Sequence, residues 1–235
     1  MAAQPTSTNL IIQLLPTTVA EPLVRACDRV YVDLRDEMFR PGKPILSIDF
    51  PENGVISILK PVDDSFIEVS TVGREGCVGA ALALGVNQVE ALAYCQVEGS
   101  VLRLSTEQFL KLLEKHPELK RLCHRYAVTQ FDQVSRNAAC NIVHSVEQRC
   151  ARWLLLTHDR CNFEKFFLTQ EFLAKMLGVS RTGVNFAATT LAKRGFISYV
   201  RGKVLVLDRP GLEDISCQCY AATNDYYKAT MGNGY

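Results

Sequence analysis

The chain has no CxxC pair, and its nine cysteines, at 27, 77, 95, 123, 140, 150, 161, 217 and 219, are scattered. An odd number at such spacings describes reduced thiols rather than a disulfide framework or a zinc or iron–sulfur motif. Cys217 and Cys219 are the only close pair, and no metal set is expected. Long apolar runs are also missing. VLVL at 204–207 and WLLL at 153–156 are among the most apolar stretches, far short of the roughly 20 residues that span a bilayer. The opening MAAQPTSTNL carries neither the basic segment nor the apolar run of a secretory leader, so a cytoplasmic protein without a membrane partner is expected. No His/Asp/nucleophile spacing stands out. Gly73, Gly76 and Gly79 lack the GxGxxG or lysine-containing forms that cradle phosphates, and are read as turns between strands. Neither an enzyme nor an evident cofactor follows, which leaves an unidentified small-molecule effector open.

The 235 residues suffice for one or two packed domains, and 48% hydrophobic with 22% charged residues excludes a disordered chain. The net charge of +1 hides an asymmetry. Residues 1–115 hold 10 Lys and Arg against 15 Asp and Glu, whereas residues 116–235 hold 16 against 10. Only the second half suits a polyanion.

Leu10 to Leu15 and Val19 to Cys27 read as short helices. Between Asp28 and Leu104, short alternating runs (RVYVDL, KPILSIDF, GVISILK, SFIEVSTVG, EALAYCQVEG, SVLRLS) are cut by turn residues, which describes a barrel, sandwich or roll. A capped helix EQFLKLLEKH follows and yields near Pro117. The next stripe, with Leu119, Leu122, Tyr126, Val128 or Thr129, Val134 and Ala138, is too apolar for a helix facing solvent. It either packs on its own domain or pairs with its copy, and its place between two compact segments favours pairing. Ser145 and Gln148 form a capping box for VEQRCARWLLLTH, whose Trp153, Leu154 and Leu156 should enter a second core. The boundaries are then a sensor segment at 1–115, a dimerisation helix and hinge at 116–144, a third domain at 145–220 and a flexible tail at 221–235.

The third domain contains LTQEFLAKMLGVSRTGVNFAATTL at 168–191. Thr169 caps a first helix, Phe172, Leu173, Met176 and Leu177 bury its stripe, and Ala174 is small where two helices cross. Gly178 supplies the turn, Val179 plugs the core, and Ser180 caps a second helix with Val184, Ala188 and Leu191 inward. KRGFISYVRGKVLVLD then reads as a helix end, a strand, a turn at Arg201-Gly202-Lys203 and a second strand: a winged helix-turn-helix. Such a unit presents the start of its second helix to the DNA major groove. Arg181, Thr182 and Asn185 are the base-reading candidates, Arg181 foremost because its forked guanidinium matches guanine O6 and N7. Thr169, Gln170, Ser180, Arg201 and Lys203 are expected on the phosphates. Phe186 contacts a thymine methyl or is core, with core favoured.

These motifs, together with GREGCVG at 73–79 and HPELKRL at 116–122, resemble the Crp/Fnr family of transcription regulators over nearly the whole chain. The resemblance implies an α+β fold: a cyclic-nucleotide-binding-like, jelly-roll-like β-roll, a long dimerisation helix carrying Leu119, Leu122, Tyr126 and Val134, and a C-terminal winged helix-turn-helix. It also implies a homodimer on a pseudo-palindromic operator in double-stranded DNA, with RNA polymerase as a further partner. The effector pocket is degenerate. The family's Gly-Glu pair corresponds to Val78-Gly79-Ala80, and its phosphate-binding arginine region to Val89-Glu90-Ala91, which argues against control by cAMP. The family's N-terminal cysteine cluster and sensor-domain haem histidine have no counterpart. A second class remains open: a sensing or interaction module whose winged domain docks a protein.

Overall fold

The computed structural model describes residues 7–161 and 165–232. Asn9 opens it: its side chain accepts from the Ile11 and Ile12 N–H groups, while its amide donates to the Pro51 and Gly76 carbonyls at 2.9 and 2.8 Å. The short helix it caps, α1 (Leu10–Gln13), and α2 (Thr17–Ala26) close one side of a β-roll.

The roll is built from β1 (Asp28–Val32), β2 (Glu37–Phe39), β3 (Ser47–Pro51), β4 (Val55–Val62), β5 (Ser65–Val72), β6 (Leu92–Val97) and β7 (Gly99–Ser105). Every pairing is antiparallel, in two sheets ordered β1-β7-β3 and β2-β6-β4-β5. Six strands fall on the runs read from sequence; β2, three residues long, gave no alternation to read. Ile48, Phe50, Ile56, Val72, Ala93, Cys95 and Val101 have essentially no exposed surface and fill the space between the sheets.

Helices follow: α3 (Thr106–Lys115), capped by Ser105, which accepts from the Gln108 N–H, then α4 (Pro117–Val143) and α5 (Val146–Cys161). The winged unit comprises β8 (Lys165–Phe167), α6 (Gln170–Leu177), α7 (Arg181–Lys193), β9 (Ile197–Val200) and β10 (Lys203–Val206), the strands ordered β8-β10-β9. It ends in α8 (Arg209–Ile215) and α9 (Cys219–Met231).

Two expectations need correcting. Of the flexible tail expected at 221–235, residues 221–231 are instead helical, in α9. Cys219, Thr223, Tyr227 and Met231 recur every four residues and are buried, and the Tyr227 hydroxyl donates to the Glu75 carbonyl at 2.5 Å. The stripe is hard to recognise in sequence because a threonine and a cysteine occupy half of it. Of the last residues expected to fray, 231–235, Met231 is buried at the end of α9, and 233–235 lie outside the described ones.

The second correction concerns α4. Leu119, Leu122 and Tyr126 are buried in the roll's own core beside Phe109, so they are closed to a second subunit. Val134 is exposed, as are Val128 and Phe131, the latter at 73%. The stripe thus changes role near Tyr126: its first half packs inward and its second half faces out.

Met231 is 2% exposed, and truncating a buried methionine costs about 2–5 kcal/mol. Met231→Ala is expected to lower the unfolding free energy by that amount in urea titration. A change near zero would show α9 to be marginal to the fold.

Candidate nucleic-acid interface

The second core belongs to two domains at once. Val55, Leu59 and Val97 of the roll share it with Trp153, Leu154, Phe166, Leu173, Met176 and Leu177 of the winged unit. α5 lies between them, buried on nearly every side, as befits a helix with protein all round it. Two roll carboxylates meet it. Glu75 pairs with Arg160, 2.9 Å apart with both side chains about 5% exposed or less, and Arg160 also donates to Thr71. Glu68 accepts from the Trp153 indole N–H at 2.9 Å. The first helix of the motif leans on the same sheet, with Tyr94 and Phe172 edge to face at 5.8 Å between ring centres.

Within the winged unit the expected caps form. Thr169 Oγ1 accepts from the Phe172 N–H at 3.1 Å, and Ser180 Oγ accepts from the Gly183 N–H at 3.2 Å. Between α6 and α7, Gly178 sits at φ +61, a left-handed angle that costs a residue with a Cβ about 1–2 kcal/mol. Its N–H returns to the Ala174 carbonyl. Val184, Ala187, Ala188 and Leu191 bury the inner face of α7, each at most 1% exposed.

What this leaves outside is the site. Arg181, Thr182 and Asn185 are exposed at the start of α7, where the helix dipole adds positive potential. Ser180 is exposed beside them, and Thr169 and Gln170 are partly so. Asn185 Oδ1 accepts from Gln170 Nε2 at 2.8 Å, so one expected base reader and one expected phosphate contact hold each other in the free chain. Two-point reading of adenine by Asn185 would require that bond to open, since its acceptor is already used. At the wing tip Arg201 has φ +51 and Gly202 φ +76, and the Gly202 carbonyl accepts from the Leu168 N–H at 2.6 Å. A Cβ at Gly202 would meet the Phe167 ring, which fixes glycine there and sets Arg201 and Lys203 outward on either side.

Phe186 is not core. It is 73% exposed, one residue beyond Asn185 and four beyond Thr182, on the outer face of α7. The inner face is already filled by Val184, Ala187 and Ala188, and helical periodicity turns 186 away from them.

Residues 148–215 match the Crp-like helix-turn-helix domain. The chain thus carries a Crp-like helix-turn-helix domain and is a DNA-binding transcription regulator, with that domain carrying the assignment. Solved structures share the fold over most of the chain. FixK2 from Bradyrhizobium japonicum superposes with a TM-score of 0.68 at 13% identity, covering 81% of this chain and 98% of its own. The c-di-GMP-responsive regulator CLP of Xanthomonas campestris gives 0.62 at 19%, covering 81% and 99%. A CRP-family transcriptional regulator of Thermus thermophilus gives 0.62 at 18%, covering 80% and 96%. No curated protein matches the chain.

The residues expected to form a degenerate effector pocket are partly consumed by packing. Val78 exchanges backbone hydrogen bonds with Asp49 at 2.8 and 3.0 Å, and Val78, Ala80 and Ala91 are buried. Gly79 caps a 3-10 turn over Ala80–Leu84. Val89 is half-buried, its carbonyl accepting from the Gly42 N–H, while Glu90 is exposed and its carbonyl accepts from Lys60.

The cysteines also differ from expectation. Eight of the nine are buried, and Cys140, Cys217 and Cys219 meet with His144 in one cluster that the sequence spacing did not suggest. Cys140-x-x-x-His144 places two donors one helical turn apart, and that was the available signal.

Glu68 ties the interface to pH. Burial pushes its carboxyl up to about 7, the Ser57 and Trp153 hydrogen bonds and the Arg160 and Arg152 charges opposing but not cancelling that effect. The Ser57 hydroxyl lies 2.6 Å from Glu68 Oε2 and 2.5 Å from Gln96 Oε1. A protonated Glu68 satisfies both, donating to Ser57 while Ser57 donates to Gln96. Its contribution to stability is full below the ordinary value of 4.5 and is lost as pH rises through about 7. Between pH 5 and pH 8 the unfolding free energy is therefore expected to fall by on the order of 2–3 kcal/mol more in the unchanged chain than in Glu68→Gln. Equal pH slopes for the two, in urea titrations, would remove Glu68 from that role.

Proposed function

We propose that the chain binds a pseudo-palindromic operator as a homodimer, reading bases with Arg181, Thr182 and Asn185 and anchoring on phosphates through Thr169, Gln170, Ser180, Arg201 and Lys203. The observation that carries this reading is the exposure of Arg181 at the start of α7 while the winged unit is docked on the roll. Docking leaves the reading edge open. Phe186, exposed beside Asn185, is added as an apolar contact to a thymine methyl. Operator preference should then combine a guanine at the Arg181 position with thymine nearby.

Dimerisation would use the outer half of α4. Val128, Phe131, Val134, Ala138 and Ile142 follow one another at intervals of three, three, four and four residues and are all exposed, the spacing of a helix–helix seam. Such a dimer presents two α7 helices to successive major grooves, which is the reason to expect a palindrome. Promoter-bound dimers would meet RNA polymerase, and the site of action would be the cytoplasm. Among the described residues no helix is long and apolar enough to cross a membrane. The reading involves no enzymatic step. Control by cAMP is not part of it, since the Val78-Gly79-Ala80 and Val89-Glu90-Ala91 positions offer no side-chain cation for a cyclic phosphate. The effector, if there is one, has a different chemistry.

Selection of randomised duplexes on the purified chain should enrich a two-fold symmetric site. Arg181→Ala should weaken that site by about 1–3 kcal/mol and flatten the preference at one base in each half. Lys203→Ala should instead weaken all sequences alike and reduce the salt slope by roughly one unit. Retained guanine preference in Arg181→Ala would remove Arg181 from base reading, and enrichment of no sequence would favour docking on a protein.

For the seam, Phe131→Glu is expected to convert the dimer to a monomer in sedimentation while far-UV circular dichroism is retained. A dimer that survives this change pairs elsewhere.

A further inference from the structure

The clustered thiols at the α4–α5 hinge have no part in DNA reading. Cys140 lies in the last turn of α4, and His144 is the residue that ends it, with its N–H on the Cys140 carbonyl. Cys217 and Cys219 flank the α8–α9 junction, some 75 residues further along. The four donor atoms lie within 4.8 Å of one another. Cys140 and Cys217 sulfurs are 3.5 Å apart, and Cys219 Sγ is 3.8 Å from His144 Nδ1. The three cysteines are at most 8% exposed and form a small core of their own, and His144 is half-buried.

We propose that Cys140, His144, Cys217 and Cys219 bind one zinc ion in a closed Cys3His site. A tetrahedral zinc with sulfurs at about 2.3 Å sets neighbouring sulfurs roughly 3.8 Å apart. The donors here need to move by less than an ångström or so to reach that arrangement. The same closeness leaves no room among them for the inorganic sulfides of an iron–sulfur cluster. Thiolates with one imidazole are the donors a borderline-soft ion selects, and four protein ligands leave no position open for water or substrate. The site is therefore structural.

Charge supports the assignment. Three thiolates around a doubly charged ion leave one negative charge buried. Arg152 is 4% exposed, its charge acts on Cys140, Cys217 and Cys219, and its Nε has no hydrogen-bond partner among the described residues. One of its other nitrogens is held by Asn137 at 2.6 Å. A guanidinium so placed balances the complex and offers an N–H to a ligand sulfur, the outer support that metal thiolates need. Without a metal, that buried Arg152 Nε is left with no acceptor among the described residues.

The consequence is mechanical. The ion would tie the end of α4 to the α8–α9 junction, and thereby fix the hinge from which α5 and the winged unit depart. The site stands independently of the operator reading.

The test uses the full chain purified without chelators. Metal analysis should find about one zinc per chain, and replacing the zinc with Co2+ should give the absorption of a tetrahedral cobalt–thiolate centre. Cys217→Ser and Cys219→Ser should each lower zinc occupancy tenfold or more under dilute chelator, while Cys27→Ser, a thiol on the far side of the chain's sequence and outside the cluster, leaves it unchanged. Two results overturn the proposal: a chain that takes up neither zinc nor cobalt with thiolate absorption, or a Cys140–Cys217 disulfide in the freshly purified protein. Should the serine variants fail to fold, the cobalt spectrum of the unchanged chain decides alone.

Discussion

Burial of α5 on nearly all sides is the constraint from which the rest of the arrangement follows. A helix carrying Arg149, Arg152 and Arg160 among Trp153, Leu154 and Leu155 cannot be covered by apolar surface alone. Each guanidinium must find an acceptor or an anion, because an unpaired buried charge costs several kcal/mol. The partners come from different parts of the chain: Arg149 donates to Asn141 and the Leu177 carbonyl, Arg152 to Asn137, and Arg160 meets Glu75. Hinge, winged unit and roll are thereby fixed to one element. The Tyr227 hydroxyl closes the set on the Glu75 carbonyl, which is why α9 folds back instead of fraying.

The same economy sets the electrostatics of the roll's contact with the winged unit. Glu75 has the Arg160 guanidinium beside it. Glu68 has only hydrogen-bond donors, with Arg152 and Arg160 acting from further away, and desolvation wins. Glu68 lies in β5 and Glu75 in the turn that follows it, and of the two it is Glu75 that forms an ion pair directly. The Glu68 contact is expected to link domain docking to proton concentration.

How much of this could be read from sequence depended on whether a signal was local. The caps at Thr169 and Ser180, the Gly178 turn and the wing at Arg201-Gly202-Lys203 are decided within a few residues, and all were legible. The roll's strands alternate, and six of seven were visible. What was not legible needed a distant partner. Leu119, Leu122 and Tyr126 look the same whether they meet a second subunit or their own roll; only the packing against Phe109 decides. α9 hid because its buried stripe includes a threonine and a cysteine. Phe186 was misread as core since hydrophobicity alone suggests burial, yet its place one residue past Asn185 turns it outward. The thiol cluster joins the end of α4 to the α8–α9 junction, and the local spacing of Cys140 and His144 does not encode their meeting with Cys217 and Cys219.

The thiol cluster and the packing of α9 bear on one region, the end of α4. The hinge at His144 separates an α4 half buried in the roll from an α5 buried between domains, so neither helix can rotate freely. Movement of α7 relative to the roll must then either open the Glu68 and Glu75 contacts at the roll's face or bend the chain where Cys140 and His144 sit. The first route is opposed by a buried ion pair and an indole hydrogen bond. The second is opposed by the packing of the α8–α9 junction against the end of α4. Arg181, the proposed base reader, lies on neither route, being exposed at the start of α7. The residues proposed to read DNA are therefore separate from the contacts that hold the winged unit to the roll, and a change at the ends of α5 can alter that docking without touching them.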